Sequence, residues 1–114
     1  MSKWTHVDSE ALYNVPNWGL GYFSVNAEGH VQVAPEGNEH PARIDMFELI
    51  GQIRRRGVQA PILLRFDGLL RARVRELAEA FAKAREQYGY SGEYRPVYQI
   101  KVNQDRNVVE SLLE

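Results

Sequence analysis

Lys101 is the residue whose setting points most directly to chemistry. It lies between Ile100 and Val102 in the run Val97-Tyr98-Gln99-Ile100-Lys101-Val102. This run reads as a strand, and successive side chains on a strand point to opposite faces. Ile100 and Val102 then share one face and Lys101 takes the other. An ammonium there must reach solvent, find a partner, or be used. Desolvation disfavours the charged form, and the free amine is what attacks a carbonyl to form a Schiff base. At the carboxyl end of a parallel strand, such an amine stands where α/β folds place active sites. A strand-end lysine whose stem lies on apolar surface fits the same pattern.

Other candidates have simpler readings. His6, His30 and His40 have neither the helical nor the finger spacing of a zinc site, so they read as scattered surface residues. Asp45, Glu48 and Asp67 read as cap and first-turn residues, and Asp105 and Glu110 have no evident partner for paired-carboxylate work. Gly19 and Gly21 lack the strand–glycine–helix context of a phosphate loop. Arg65, inside an apolar run, either reaches an anion or points out at the strand end. Arg54-Arg55-Arg56 reads as a solvated helix end, because nothing nearby extends the basic patch. The dense tyrosines Tyr88, Tyr90, Tyr94 and Tyr98 fit a packed seam better than a base-stacking platform.

Three blocks position these residues. In residues 1–43, Ser9 is a candidate cap for a short helix, and Pro16 limits its length. Tyr22 to Asn26 and Val31 to Ala34 alternate across Asn26-Ala27-Glu28-Gly29, which predicts a hairpin. Pro35 to Pro41 reads as a loop. In residues 44–60, Asp45 caps a short helix with Glu48 at capping-box spacing, and Gly57 is its left-handed stop. In residues 61–114, Ile62 to Phe66 reads as a buried strand. A helix then runs from Asp67 to about Tyr88. Its apolar stripe is Leu70, Val74, Leu77, Phe81, Ala84 and Tyr88, and Glu79 and Lys83 are suitably spaced for a pair on the other side. The strand containing Lys101 follows, then a helix opened by Asn103 or Asp105. Strand, helix, strand, helix predicts a parallel α/β arrangement. The pattern stops while it is being built, so the expectation is a piece of something larger.

Composition sets the outer bounds. The chain has 114 residues, 14 Lys+Arg against 15 Asp+Glu, and no cysteine. The length allows one average domain at most. Disulfides, thiolate nucleophiles and cysteine-bound metal are excluded. The near-neutral balance argues against a nonspecific nucleic-acid binder. No apolar run is long enough to span a membrane, and no secretory signal is visible.

The segment from Val97 to Gln104, continued by Arg106 and Val108 to Leu112, resembles the lysine segment of the biosynthetic arginine decarboxylases. Trp18 to Asn26 with Gly29-His30-Val31 is similar to that family's amino-terminal start. Leu63 to Phe66, Ala80-Phe81 and Tyr88-Gly89-Tyr90 are similar as well. The resemblance covers about residues 13–114. One departure is Gln99, which stands where the family has proline; it faces the same side as Lys101.

The resemblance implies an α/β fold: an incomplete amino-terminal segment of a (β/α)8 barrel that binds pyridoxal phosphate, preceded by a β-hairpin and short helix. Residues 1–60 would form the hairpin and helix extension. Residues 61–114 would supply the entry strand, a helix and the first βα unit. Lys101 would be both catalytic and cofactor-binding, as the Schiff-base lysine. L-arginine would lose its carboxylate as carbon dioxide to give agmatine, in polyamine biosynthesis, with the cofactor accepting the electrons. The resemblance also implies magnesium, a homo-oligomer or the remainder of the enzyme as partner, and a cytoplasmic location. The family's phosphate-binding glycines, ring-nitrogen acid, stacking histidine and substrate residues have no counterpart through Glu114, so this chain alone is expected to be inactive. Two alternatives stand beside this reading: a noncatalytic interaction or scaffold protein, and part of another pyridoxal-phosphate decarboxylase of the same barrel class.

Overall fold

The computed structural model describes residues 3–113. They fall into two compact units that divide between Phe66 and Asp67.

The first unit begins with α1 (His6–Leu12). Thr5, not Ser9, caps it. The Asp8 amide donates to Thr5 Oγ1 at 3.4 Å and the Thr5 amide donates to Asp8 Oδ2 at 2.7 Å, which makes a reciprocal capping box. The Thr5 hydroxyl also donates to that carboxylate and holds the Asp8 pKa below the ordinary carboxylate range. Asn14 then takes a left-handed conformation and turns the chain into α2 (Val15–Gly19), with Pro16 in the first turn. A proline there forfeits no helical hydrogen bond, so Pro16 starts a second helix where it was expected to end the first.

The predicted hairpin is present. β1 (Phe23–Val25) pairs antiparallel with β2 (Val31–Val33), with Phe23 opposite Val33 and Val25 opposite Val31. Those four side chains share a face, as the alternation required. Gly29 closes the connecting loop at a φ of 84°, a conformation few other residues adopt without strain. Glu10 on α1 accepts the Val25 amide at 2.7 Å and so ties α1 to β1. A third strand, β3 (Ile44–Asp45), pairs with the far side of β2. It was missed because two residues are too few to show a period. Val33, on the central strand, is fully buried.

α3 (Met46–Arg55) follows directly. Asp45 caps it by accepting the Glu48 amide at 3.0 Å. Gly57, at a φ of 88°, follows Arg56 as the expected left-handed stop.

The second unit holds α4 (Asp67–Gln87) and α5 (Arg106–Leu113), which pack together. α4 matches its prediction within a residue. The expected parallel strands do not appear. Residues 62–66 and 97–99 form no strand, and Ile100–Val102 form a single 3-10 turn. Among the described residues the only sheet is antiparallel, in the order β1-β2-β3. The described residues are therefore α/β in content and do not show a barrel. The physical reason is the lack of a ladder: an apolar run becomes a strand only where a second backbone supplies hydrogen bonds. The stripe on α4 is correspondingly half open, with Leu77 51% and Phe81 46% exposed.

Val33→Ala removes two buried carbons from the centre of the first unit. We expect a loss of about 2 kcal/mol in denaturant unfolding of the full chain. A loss near zero would show that Val33 is not a packing centre.

Candidate functional site

Lys101 occupies the middle of the 3-10 turn and is exposed. The turn is closed by the Val102 amide, which donates to Gln99 O at 3.0 Å. Gln99 and Asn103 on either side are extended, at φ/ψ of −82°/95° and −149°/110°. The chain thus approaches and leaves Lys101 in strand-like geometry, and the turn replaces the expected pleat. Tyr98 bridges it, its hydroxyl donating to Asn103 O at 3.3 Å. Of the settings open to Lys101 on the sequence, this geometry gives the one that reaches solvent, on a turn and not on a strand face. Lys101 is a solvent-facing amine on a short loop.

Asn103 and Asp105 prepare the helix that follows. Asn103 Oδ1 accepts the Asp105 amide, and Asp105 Oδ1 accepts the Asn107 amide, both at 3.0 Å. These are the local side-chain bonds by which Asn and Asp open helices. Glu110, read as unpartnered, accepts from Arg106 Nε at 2.6 Å one helical turn away. Both side chains are mostly exposed, so the pair contributes little.

Beside the turn lies a cleft of about 350 Å³ in the second unit. Val74 and Leu77 of α4, Pro96 to Tyr98, Ile100, and Val109, Leu112 and Leu113 of α5 surround it, and no charged side chain lines it. Ile100 turns into the cleft; Lys101 does not line it. Tyr94 stacks on Phe81 nearby on the same unit, ring centres 4.3 Å apart and nearly parallel. Of the four tyrosines expected to form a packed seam, Tyr94 takes that role, whereas Tyr88, Tyr90 and Tyr98 remain exposed.

Pyridoxal phosphate requires an amine for covalent attachment, donors around its phosphate, and a partner for its ring nitrogen. Lys101 meets the first requirement. Its neighbours Ile100 and Val102 are apolar, the adjoining cleft is uncharged, and the polar groups of Asn103 and Asp105 are committed to opening α5. The described residues fit the point of attachment and do not build the rest of the cofactor site.

The first unit contains a polar cluster that sequence reasoning did not assemble. Asp45 Oδ2 accepts Asn26 Nδ2 at 2.8 Å and lies 2.9 Å from His30 Nδ1, while Oδ1 takes the Glu48 amide. His30 also stacks on Phe47, ring centres 4.6 Å apart. One carboxylate therefore joins both ends of the hairpin loop to the start of α3. The helix-capping bond from Glu48 is the main cause that holds the Asp45 carboxyl below its ordinary range, with His30 and Asn26 adding to it against partial burial. The cap was legible from Asp45 and Glu48. The bonds to Asn26 and His30 were not, because they span 19 and 15 residues. Among the described residues no three His, Asp or Glu side chains gather to hold a metal ion, and no helix is long and apolar enough to cross a membrane.

No family model matches the chain. Individual relatives do, and nearly the whole chain is homologous to enzymes of one kind. They are biosynthetic arginine decarboxylases. The protein of that name from Aeromonas hydrophila is 46% identical over 112 residues, covering 98% of this chain and 18% of its own length. Its namesake from Prochlorococcus marinus is also 46% identical over 112 residues, with 17% of its length covered. That from Thermosynechococcus vestitus is 43% identical over the same length. The chain thus spans about a sixth of the length of the curated relatives it matches, consistent with an amino-terminal portion. The likeness read from the lysine segment and the glycine-rich start extends along nearly the entire sequence.

Asp45 generates a prediction in acid. A carboxyl whose folded-state value is depressed stabilises fully above its unfolded value, here near 3.8, and loses that contribution as pH falls through the lower folded value. Asp45→Ala is expected to unfold at lower urea than the parent at about pH 6, with the gap closing as pH drops well below the ordinary carboxylate range. A gap that stays constant down to about pH 2 would contradict the electrostatic role.

Proposed function

We propose that this chain is a portion of a biosynthetic arginine decarboxylase, the enzyme that converts L-arginine to agmatine and carbon dioxide. The observation that carries this reading is 40–46% identity to enzymes of that name along 98% of the chain. Within it, we assign Lys101 as the residue that attaches pyridoxal phosphate. The motif around it supports the assignment. In the complete enzyme the cofactor accepts the electrons of the departing carboxylate; magnesium is the second cofactor we propose. The phosphate cradle and substrate contacts come from polypeptide outside residues 3–113, as does the cover that would dry the amine. The proposed setting is a (β/α)8 barrel in which 62–66 and 97–102 gain strand partners.

The solvent-facing geometry bears on this reading directly. Attack on a carbonyl requires the neutral amine. Burial on assembly would favour the neutral amine by removing water from the charged form. The chain alone is therefore expected to release no carbon dioxide from carboxyl-labelled L-arginine, with or without pyridoxal phosphate. Coexpressed with the complementary portion of the Aeromonas hydrophila enzyme, it is expected to restore turnover. Lys101→Ala in that pair should lower turnover by about three orders of magnitude or more, because the covalent route is lost. Full turnover by the Lys101→Ala pair would refute the assignment.

A further inference from the structure

The three-stranded sheet has two outer strands, and an open strand edge is a template for another backbone. One edge is too short for that: β3 is two residues long and runs straight into α3. The other is the outer edge of β1. In an antiparallel pair, hydrogen-bonded and non-hydrogen-bonded residue pairs alternate. The Asn26 amide donates to His30 O at 2.9 Å, and the Ala34 amide donates to Tyr22 O at 2.8 Å. With Ser24 opposite Gln32, the backbone groups of residues 22, 24 and 26 face β2. Those of Phe23 and Val25 therefore face outward.

Glu10 meets that outward edge. Its Oε1 accepts the Val25 amide at 2.7 Å in partly buried surroundings. α1 buries no residue of its own, so side-chain packing contributes little to holding it there. The carboxylate is suited to the position, because an incoming carbonyl oxygen would have to displace a charge-assisted bond. The edge it occupies is self-complementary. Two copies of β1 laid antiparallel about a two-fold axis at Ser24 set Phe23 of one opposite Val25 of the other. The outward N–H and C=O of each residue then meet the outward C=O and N–H of its opposite.

We propose that Glu10 is an edge guard: the outer edge of β1 is a pairing surface for a second copy of this chain, and the Glu10 carboxylate keeps it shut. Without the guard, the Val25 amide loses its acceptor and finds another on the same edge of a second molecule.

The full chain and its variants are compared by sedimentation velocity, with circular dichroism checking the fold. Glu10→Ala and Glu10→Met both remove the acceptor, and Met keeps the length of the side chain. Each is expected to raise the self-association constant at least about tenfold, because two Val25 amides per dimer regain a partner. Glu10→Gln retains a side-chain oxygen and should match the parent. Val25→Pro added to Glu10→Ala deletes an outward donor that the ladder with β2 does not use, and should restore the parent's value. Ser24→Cys in the Glu10→Ala chain locates the contact. Residues at the two-fold axis form a non-hydrogen-bonded pair with Cα atoms about 4.5 Å apart, within reach of a disulfide. The parent sequence contains no cysteine, so the new one has only its counterpart to pair with. Hydrogen exchange of the parent needs no variant: the Val25 amide should be protected although it faces away from β2. The inference is overturned by an unprotected Val25 amide in the parent, or by Glu10→Ala and Glu10→Met associating no more strongly than the parent. Association by Glu10→Gln equal to that of Glu10→Ala, association that survives Val25→Pro, or a dimer that the cysteine does not cross-link would overturn it as well.

Discussion

A backbone segment stays a strand only while another backbone satisfies its N–H and C=O groups. That constraint divides this molecule. In the first unit β2 has a neighbour on each side, and both strand pairs hold register. The segments 62–66, at the end of the first unit, and 97–102, in the second, have strand-like sequences and no strand beside them among the described residues. The second segment accordingly folds back on itself in a 3-10 turn at Ile100–Val102. The position of Lys101 follows from this. So does the open face of α4, whose stripe is matched by one eight-residue helix where two strands were expected.

The first unit shows how much one side chain contributes when its partners are local and well placed. Asp45 ends β3, caps α3, and accepts from Asn26 while contacting His30. The hairpin loop and the helix start are thereby fixed to one carboxylate. Phe47, in the first turn of α3, stacks on the His30 ring and shields one side of the cluster. These contacts describe a structural joint: both Asp45 carboxylate oxygens and both ends of the Asn26 side-chain amide are bonded within the protein.

Local signals were readable and nonlocal ones were not. The alternation of Phe23 and Val25 with Val31 and Val33 located the hairpin. The stripe from Leu70 to Tyr88 located α4, and Asp45 with Glu48 located the start of α3. Thr5 was overlooked as a cap, although Asp8 stands three residues on. Ser9 drew the prediction because of the apolar residues after it. The strand readings at 62–66 and 97–102 failed because apolarity and β-branching report fitness for a sheet, not the presence of one. The His30–Asp45 contact lay beyond any periodic pattern. Lys101 was singled out as an unusual lysine on a strand face, and its exposure depends on the missing ladder. Its proposed role comes from the motif around it and the long homology to arginine decarboxylases, not from the surroundings that the fold gives it.

The central claim is that the amine at position 101 is the one that takes the cofactor. Borohydride reduction of the coexpressed pair in the presence of pyridoxal phosphate, followed by peptide mass mapping, tests it most directly. The account predicts one dominant stable adduct, on the peptide containing Lys101, absent when that residue is alanine. An adduct spread evenly over Lys3, Lys83 and Lys101, or one confined to the partner polypeptide, would contradict it.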